Sequence, residues 1–144
     1  MPKLLVKDVM TVQVPTLHPG DDLATLHDMM EIEHVRYVPI LDRGERLVGL
    51  VTHIDLLRAA LAAREDFRLS VQQDLLGSTK IAEIMTTALE VVEPQRDLGE
   101  AARLMIENGY GCLPVVEADR LVGILTEADF VHHVAGQAPR PTRP

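Results

Sequence analysis

Apolar positions along the chain follow two recurring patterns, one helical and one extended. Leu23, Leu26 and Met30 recur at i, i+3 and i+7, as do Leu98, Ala101 and Met105, so each trio shares one face of a helix. Asp22 and Asp97 stand where an N-cap belongs, and Asp97 has Glu100 three residues on, the spacing of a capping box. These helices are predicted to begin near 22 and 97. Downstream, Tyr37-Val38-Pro39-Ile40-Leu41 and Leu47-Val48-Gly49-Leu50-Val51 are apolar runs separated by the turn-forming Asp42-Arg43-Gly44-Glu45, which predicts a hairpin. Cys112-Leu113-Pro114-Val115-Val116 and Leu121-Val122-Gly123-Ile124-Leu125 predict a second hairpin with a shorter turn. Pro39 and Pro114 lack an N–H and belong at a sheet edge or strand end. Val12-Gln13-Val14 and Leu89-Glu90-Val91-Val92 read as brief strands ahead of the first helices. Second helices are expected after Thr52, to about Arg64, and after Thr126, failing near Gly136.

The elements come in pairs because the second half of the chain restates the first at an offset of 75 residues, then 74. Met10-Thr11 returns as Met85-Thr86, Asp22-Leu23 as Asp97-Leu98, Pro39 as Pro114, and Arg46-Leu47-Val48-Gly49 as Arg120-Leu121-Val122-Gly123. Short helical turns are expected at Val6 to Met10 and at Ile81 to Met85. Residues 1–66 are read as repeat one, 67–80 as a linker, 81–135 as repeat two and 136–144 as a flexible Pro-rich tail. The fold class is α+β, a tandem pair of β-α-β-β-α repeats. A unit of about 50 residues buries too little surface to stand alone, so the pair is expected to pack sheet to sheet with pseudo-twofold symmetry.

Composition narrows the function. The chain has 144 residues, 47% hydrophobic and 25% charged, within the globular range. Its net charge of −8 repels polyanions, which argues against nucleic acid or acidic lipid as a partner. No apolar run reaches the roughly 18 residues that span a bilayer, and the start of the chain does not read as a secretory signal. No membrane insertion and a cytoplasmic location are therefore expected. The single Cys112 excludes an internal disulfide and a Cys-cluster zinc site. With two Tyr, two Phe and no Trp, any purine would be held mainly by aliphatic walls.

The sharpest local signal is Gly49-Leu50-Val51-Thr52-His53-Ile54-Asp55, repeated as Gly123-Ile124-Leu125-Thr126-Glu127-Ala128-Asp129. Thr-x-x-Asp before an apolar run is a capping box, and capping alone accounts for both residues. The same parts also suit a nucleotide. A helix N-terminus and a Thr hydroxyl favour phosphate, an Asp accepts hydrogen bonds from vicinal ribose hydroxyls, and Gly49 and Gly123 would let a ligand approach the strand backbone. Both readings stand on local grounds.

The twofold occurrence of Met-Thr, then hydrophobic-Pro-hydrophobic, then Gly-h-h-Thr-x-x-Asp, over about residues 3 to 134, resembles the pair of cystathionine-β-synthase-type (CBS) domains called a Bateman module. The resemblance implies two clefts between the repeats that bind AMP, ADP, ATP or S-adenosylmethionine as a regulatory ligand, with no required cofactor, and a disc-shaped homodimer. Carried over, Asp55 and Asp129 would hold ribose, with Thr52 and Thr126 facing the phosphates. Tyr37, Val38, Pro39, Cys112, Leu113 and Pro114, with Thr11 and Thr86, would line the adenine slot. His53 and Arg36 add positive charge in copy one where copy two has Glu127 and Gly111, so the Asp55 site is expected to suit a phosphorylated ligand better.

No nucleophile elbow, P-loop, dinucleotide fingerprint or His-Glu-x-x-His is present, so no catalytic residue and no enzyme activity is expected. His132-His133 could attract a metal, but adjacent helical residues diverge by about 100° and no ligand motif accompanies them, so no metal site is assigned. The histidines are read as surface residues, Cys112 as a packed thiol, and Met29, Met30 and Met105 as core. Three functions remain: a nucleotide-sensing module acting on a regulated protein partner, a structural protein-interaction module with degenerate clefts, and a small metal- or redox-responsive protein.

Overall fold

The structure, a computed structural model, describes residues 3–66 and 77–137. The expected linker over 67–80 lies outside the described residues except for its end, as does most of the tail over 136–144. Repeat one carries α1 (Leu23–Glu33), β1 (Tyr37–Leu41), β2 (Leu47–Thr52) and α2 (His53–Asp66). Repeat two carries α3 (Leu98–Asn108), β3 (Cys112–Glu117), β4 (Arg120–Thr126) and α4 (Glu127–Val134). A 3-10 turn leads into each, Val6–Asp8 and Ile81–Glu83.

Both first helices start at the expected caps. The Asp22 carboxylate accepts from the Thr25 N–H at 2.8 Å, and that bond holds its pKa below the ordinary carboxyl range. The Asp97 carboxylate accepts from the Glu100 N–H at 3.0 Å, but the Glu100 side chain turns to Arg96, 2.8 Å away. Half of the expected box is thus given up to an i,i+4 ion pair.

Each hairpin is an antiparallel pair, with Pro39 opposite Leu50 and Pro114 opposite Ile124. The brief leading strands do not form: the bridge to Ile40 falls at Leu17, beyond the expected Val12-Gln13-Val14, and only Val92, the last residue of the other expected run, bridges, to Val115. The prolines explain this. The carbonyls of Pro39 and Pro114 accept from the N–H groups of Leu17 and Val92, at 3.3 and 3.1 Å, so the side of the strand that lacks an N–H faces the leading segment and the ladder stops.

The chain divides into two compact units, one formed by Met1–Val14 with Glu90–Pro144 and the other by Pro15–Leu89. Each unit takes its leading turn from the other repeat. In the second, the Ile81 N–H donates to the Asp21 carbonyl at 2.8 Å, and buried Ile81 joins Leu23, Leu26, Met30, Val38, Ile40, Val51 and Leu56 in one core. In the first, the Val6 N–H donates to the Arg96 carbonyl at 2.9 Å, and Val6, Val9 and Met10 pack with Leu98, Ala101, Met105, Leu113 and Leu125.

The two first helices end differently. Each closes in a left-handed residue, Gly109 at φ 68° after α3 but His34 at φ 55° after α1. A side chain there crowds its own carbonyl, which glycine avoids. His34→Gly is therefore expected to raise stability by about 0.5–1 kcal/mol, as a higher urea midpoint with unchanged slope. A lower midpoint would show that the imidazole earns its strained position by packing.

Candidate functional site

In the unit Pro15–Leu89, β2 runs into α2 at Thr52. The Asp55 carboxylate accepts from the Thr52 N–H at 2.9 Å and the Thr52 hydroxyl at 3.1 Å, both at Oδ2, and the Asp55 N–H donates back to that hydroxyl at 3.2 Å. The capping reading is realised. It leaves Oδ1 of Asp55 without a hydrogen bond among the described residues, on a half-buried side chain. Thr86 bonds through its backbone to Leu50 in both directions, at 2.9 and 3.0 Å, with its side chain exposed.

The equivalent in the other unit is closed. Asp129 is only 3% exposed. Its Oδ2 accepts from the Thr126 N–H at 2.7 Å and hydroxyl at 3.2 Å, and its Oδ1 accepts from the Thr11 hydroxyl at 2.6 Å. A carboxylate offers about four lone-pair sites, so three are used here and two at Asp55.

The glycines ahead of the motif face protein. A Cβ on Gly49 would lie 2.6 Å from the Met85 sulfur, and one on Gly123 would lie 2.7 Å from the Met10 sulfur and 2.8 Å from the Thr11 carbonyl oxygen. This corrects the expectation that these glycines admit a ligand: they admit the methionine of the other repeat's Met-Thr.

The residues expected along the slot separate into two groups. Val38 and Leu113 are fully buried core residues, Pro39 and Pro114 are also fully buried, and Cys112 is buried. Their side chains are committed to packing, so the structure does not offer them as exposed ligand contacts. Burial pushes the Cys112 thiol up to about 12, so it stays protonated and unreactive. Tyr37 is half-buried and Arg36 exposed.

Two histidines set aside as surface residues, His27 and His34, gather with the candidate His53 at one place. His27, Met30, Glu31, His34, Val35, Arg36, His53 and Leu56 line a pocket of about 320 Å³ where the end of α1 meets the start of α2. The backbone N–H of His53 donates to the Arg36 carbonyl at 2.8 Å, which ties the start of α2 to the residue before β1. His27 Nε2 lies 3.2 Å from Glu31, one turn along α1. The Arg36 guanidinium has no hydrogen bond or ion pair among the described residues. His27, Glu31 and His34, at i, i+4 and i+7, were the available sequence signal. No group of three His, Cys, Asp or Glu side chains is placed to hold a metal among the described residues. Among them also, no helix is long and apolar enough to cross a membrane.

The family model for the CBS domain matches residues 6–62 and 81–136. A CBS domain-containing protein of Bacillus subtilis, YhcV, is 31% identical over 125 residues, 87% of this chain and 81% of its own length. The CBS domain pair of protein MJ0100, solved in complex with 5'-methylthioadenosine and S-adenosyl-L-methionine, is similar with a TM-score of 0.78 and 26% identity, covering 94% of this chain and 98% of that one. CBSX2 from Arabidopsis thaliana, solved in complex with AMP, matches with a TM-score of 0.76 and 27% identity over 92% of this chain and 96% of its own.

Proposed function

This chain belongs to the CBS-domain family in both of its repeats, and we propose that it is a cytoplasmic regulatory protein that binds an adenosine-containing nucleotide and presents the bound state to a protein partner. The free Oδ1 of Asp55 carries the reading. A cap needs one carboxylate oxygen, and here the second has no hydrogen bond among the described residues and can accept from the vicinal hydroxyls of a ribose. AMP and S-adenosylmethionine, found with the two solved relatives, both carry that diol. Thr52, His53 and Arg36 would meet the 5' end of the ligand and Tyr37 and Thr86 its base, without any step of catalysis. The ligand would act by favouring the conformation that binds it better.

α2 also exposes Ile54, Leu57 and Leu61 at i, i+3 and i+7. An apolar stripe of this kind suits a second copy of the chain, so the working form is a homodimer.

A thermal-shift series with AMP, ADP, ATP and S-adenosylmethionine tests the nucleotide reading. Ligand at a hundredfold excess over its Kd stabilises the native state by about 2.7 kcal/mol, a clear rise in Tm. A flat response to all four would transfer the function to the interaction-module reading, in which Thr52 and Thr126 are caps and nothing more.

A further inference from the structure

We infer that Thr11 is a latch: its hydroxyl occupies the carboxylate oxygen of Asp129 that a ribose would need, and so silences the second repeat as a ligand site until that side chain turns away. The inference rests on the nucleotide reading for the identity of the ligand, but that reading uses Asp55 alone. Both ends of the contact are held. The Thr11 N–H donates to the Ile124 carbonyl and the Ile124 N–H to the Thr11 carbonyl, each at 2.9 Å, which fixes the backbone beneath the hydroxyl. The hydroxyl lies 2.6 Å from Oδ1 of Asp129, while Oδ2 keeps the cap of α4.

Capping does not require this contact. Asp55 caps α2 with one oxygen, stays half-buried, and leaves Oδ1 without a hydrogen bond among the described residues. Asp129 is only 3% exposed and has no cationic partner among those residues. A carboxylate so placed is unfavourable unless its oxygens are satisfied, and Thr11 supplies the donor. Thr86 stands on the same kind of bridge, paired through its backbone with Leu50 at 2.9 and 3.0 Å. Its side chain is nevertheless exposed and makes no hydrogen bond to Asp55 among the described residues. The same Met-Thr dipeptide thus shows the device shut in one repeat and open in the other.

Opening is an exchange of partners. A ribose hydroxyl would give Oδ1 the bond that Thr11 withdraws, so the carboxylate stays satisfied and the loss is the Thr11 bond itself. Hydrogen bonds to charged groups are the stronger ones, so the latch subtracts from the affinity of any ligand at Asp129. The ligand class differs from that of the first repeat. Gly111 stands in place of Arg36 and Glu127 in place of His53, which favours an adenosine compound with a cationic 5' end over one with a phosphate.

S-adenosylmethionine is the probe, because it carries the ribose diol and a sulfonium but no phosphate. Calorimetry compares the unmodified chain with Thr11→Ala and Thr11→Ser. Thr11→Ala is expected to bind at least about tenfold tighter at Asp129, seen as a binding event that the unmodified chain lacks. Thr11→Ser keeps the hydroxyl and should behave as the unmodified chain. Adding Asp129→Asn to Thr11→Ala should take the gained event away, which assigns it to that carboxylate. Urea midpoints check that each variant is folded, and Thr11→Val, with the shape but not the donor, replaces Thr11→Ala if the latter is not. No gained event in the folded variant, while the unmodified chain still binds, overturns the latch and leaves the nucleotide reading standing. An equal gain in Thr11→Ser also overturns it. A gain in Thr11→Ala where the unmodified chain binds nothing supports the latch and sinks the assignment to Asp55. Binding by none of the chains overturns both.

Discussion

Gly123→Ala is expected to lower stability by about 2–3 kcal/mol, near the top of the overpacking range, whereas Gly49→Ala should cost only about 1 kcal/mol. The two glycines hold the same place in their repeats, and both would drive a Cβ into a methionine sulfur. They differ in what lies behind it. Around Gly49 the three nearest atoms all belong to the Met85 side chain, which has three torsions and can swing aside. At Gly123 the Thr11 carbonyl oxygen is also 2.8 Å away, and it is held by the Ile124 N–H at 2.9 Å, so relief means breaking a backbone bridge. Urea denaturation of both variants measures the gap. Adding Met85→Ala should absorb the clash in Gly49→Ala, while Met10→Ala should leave most of the Gly123→Ala loss in place. Equal losses for the two single variants would refute the distinction.

The aspartates are expected to separate binding from stability. Asp55→Ala should abolish the thermal response to nucleotide while costing about 1 kcal/mol, the value of an N-terminal cap. Asp129→Ala should cost about 2–4 kcal/mol, because it strands the Thr126 N–H and the Thr11 hydroxyl in a buried setting, and should leave the nucleotide response of the first site in place. Calorimetry with AMP on each folded variant reads the first effect and urea midpoints the second. If Asp129→Ala lost the nucleotide and Asp55→Ala kept it, the ranking of the two sites would be reversed.

Much of this architecture is legible from residue order. Asp22 and Asp97 mark their helices because a short carboxylate before an apolar 3.6 period has few other uses, and the hairpins follow from β-prone runs flanking turn residues. The fate of the leading segments was hidden. Met10-Thr11 and Met85-Thr86 are the same dipeptide, so nothing local says that each belongs with the other repeat's glycine. The prolines signalled an edge but not that their bare side would face Leu17 and Val92. The unequal burial of Asp55 and Asp129 was equally out of reach, since it depends on a hydroxyl 118 residues away. The histidine pocket was within reach: comparing His34 with Gly109 exposes an imidazole where a helix end asks for glycine.

The crossing of the leading turns sets an order of assembly. The unit Pro15–Leu89 is a continuous stretch of chain, so all its parts have been synthesised once residue 89 has emerged. The other unit needs Met1–Val14 together with Glu90–Pro144, which lie on either side of it in the chain. Val6, Val9 and Met10 must therefore wait, apolar and unhoused, until Leu98 to Leu125 have been made, and their core can close only over a loop that spans the continuous unit. Contacts of such long separation form slowly. The earlier-made half of this core is thus buried only after the later-made half appears, and this segment is where a nascent chain would need shielding.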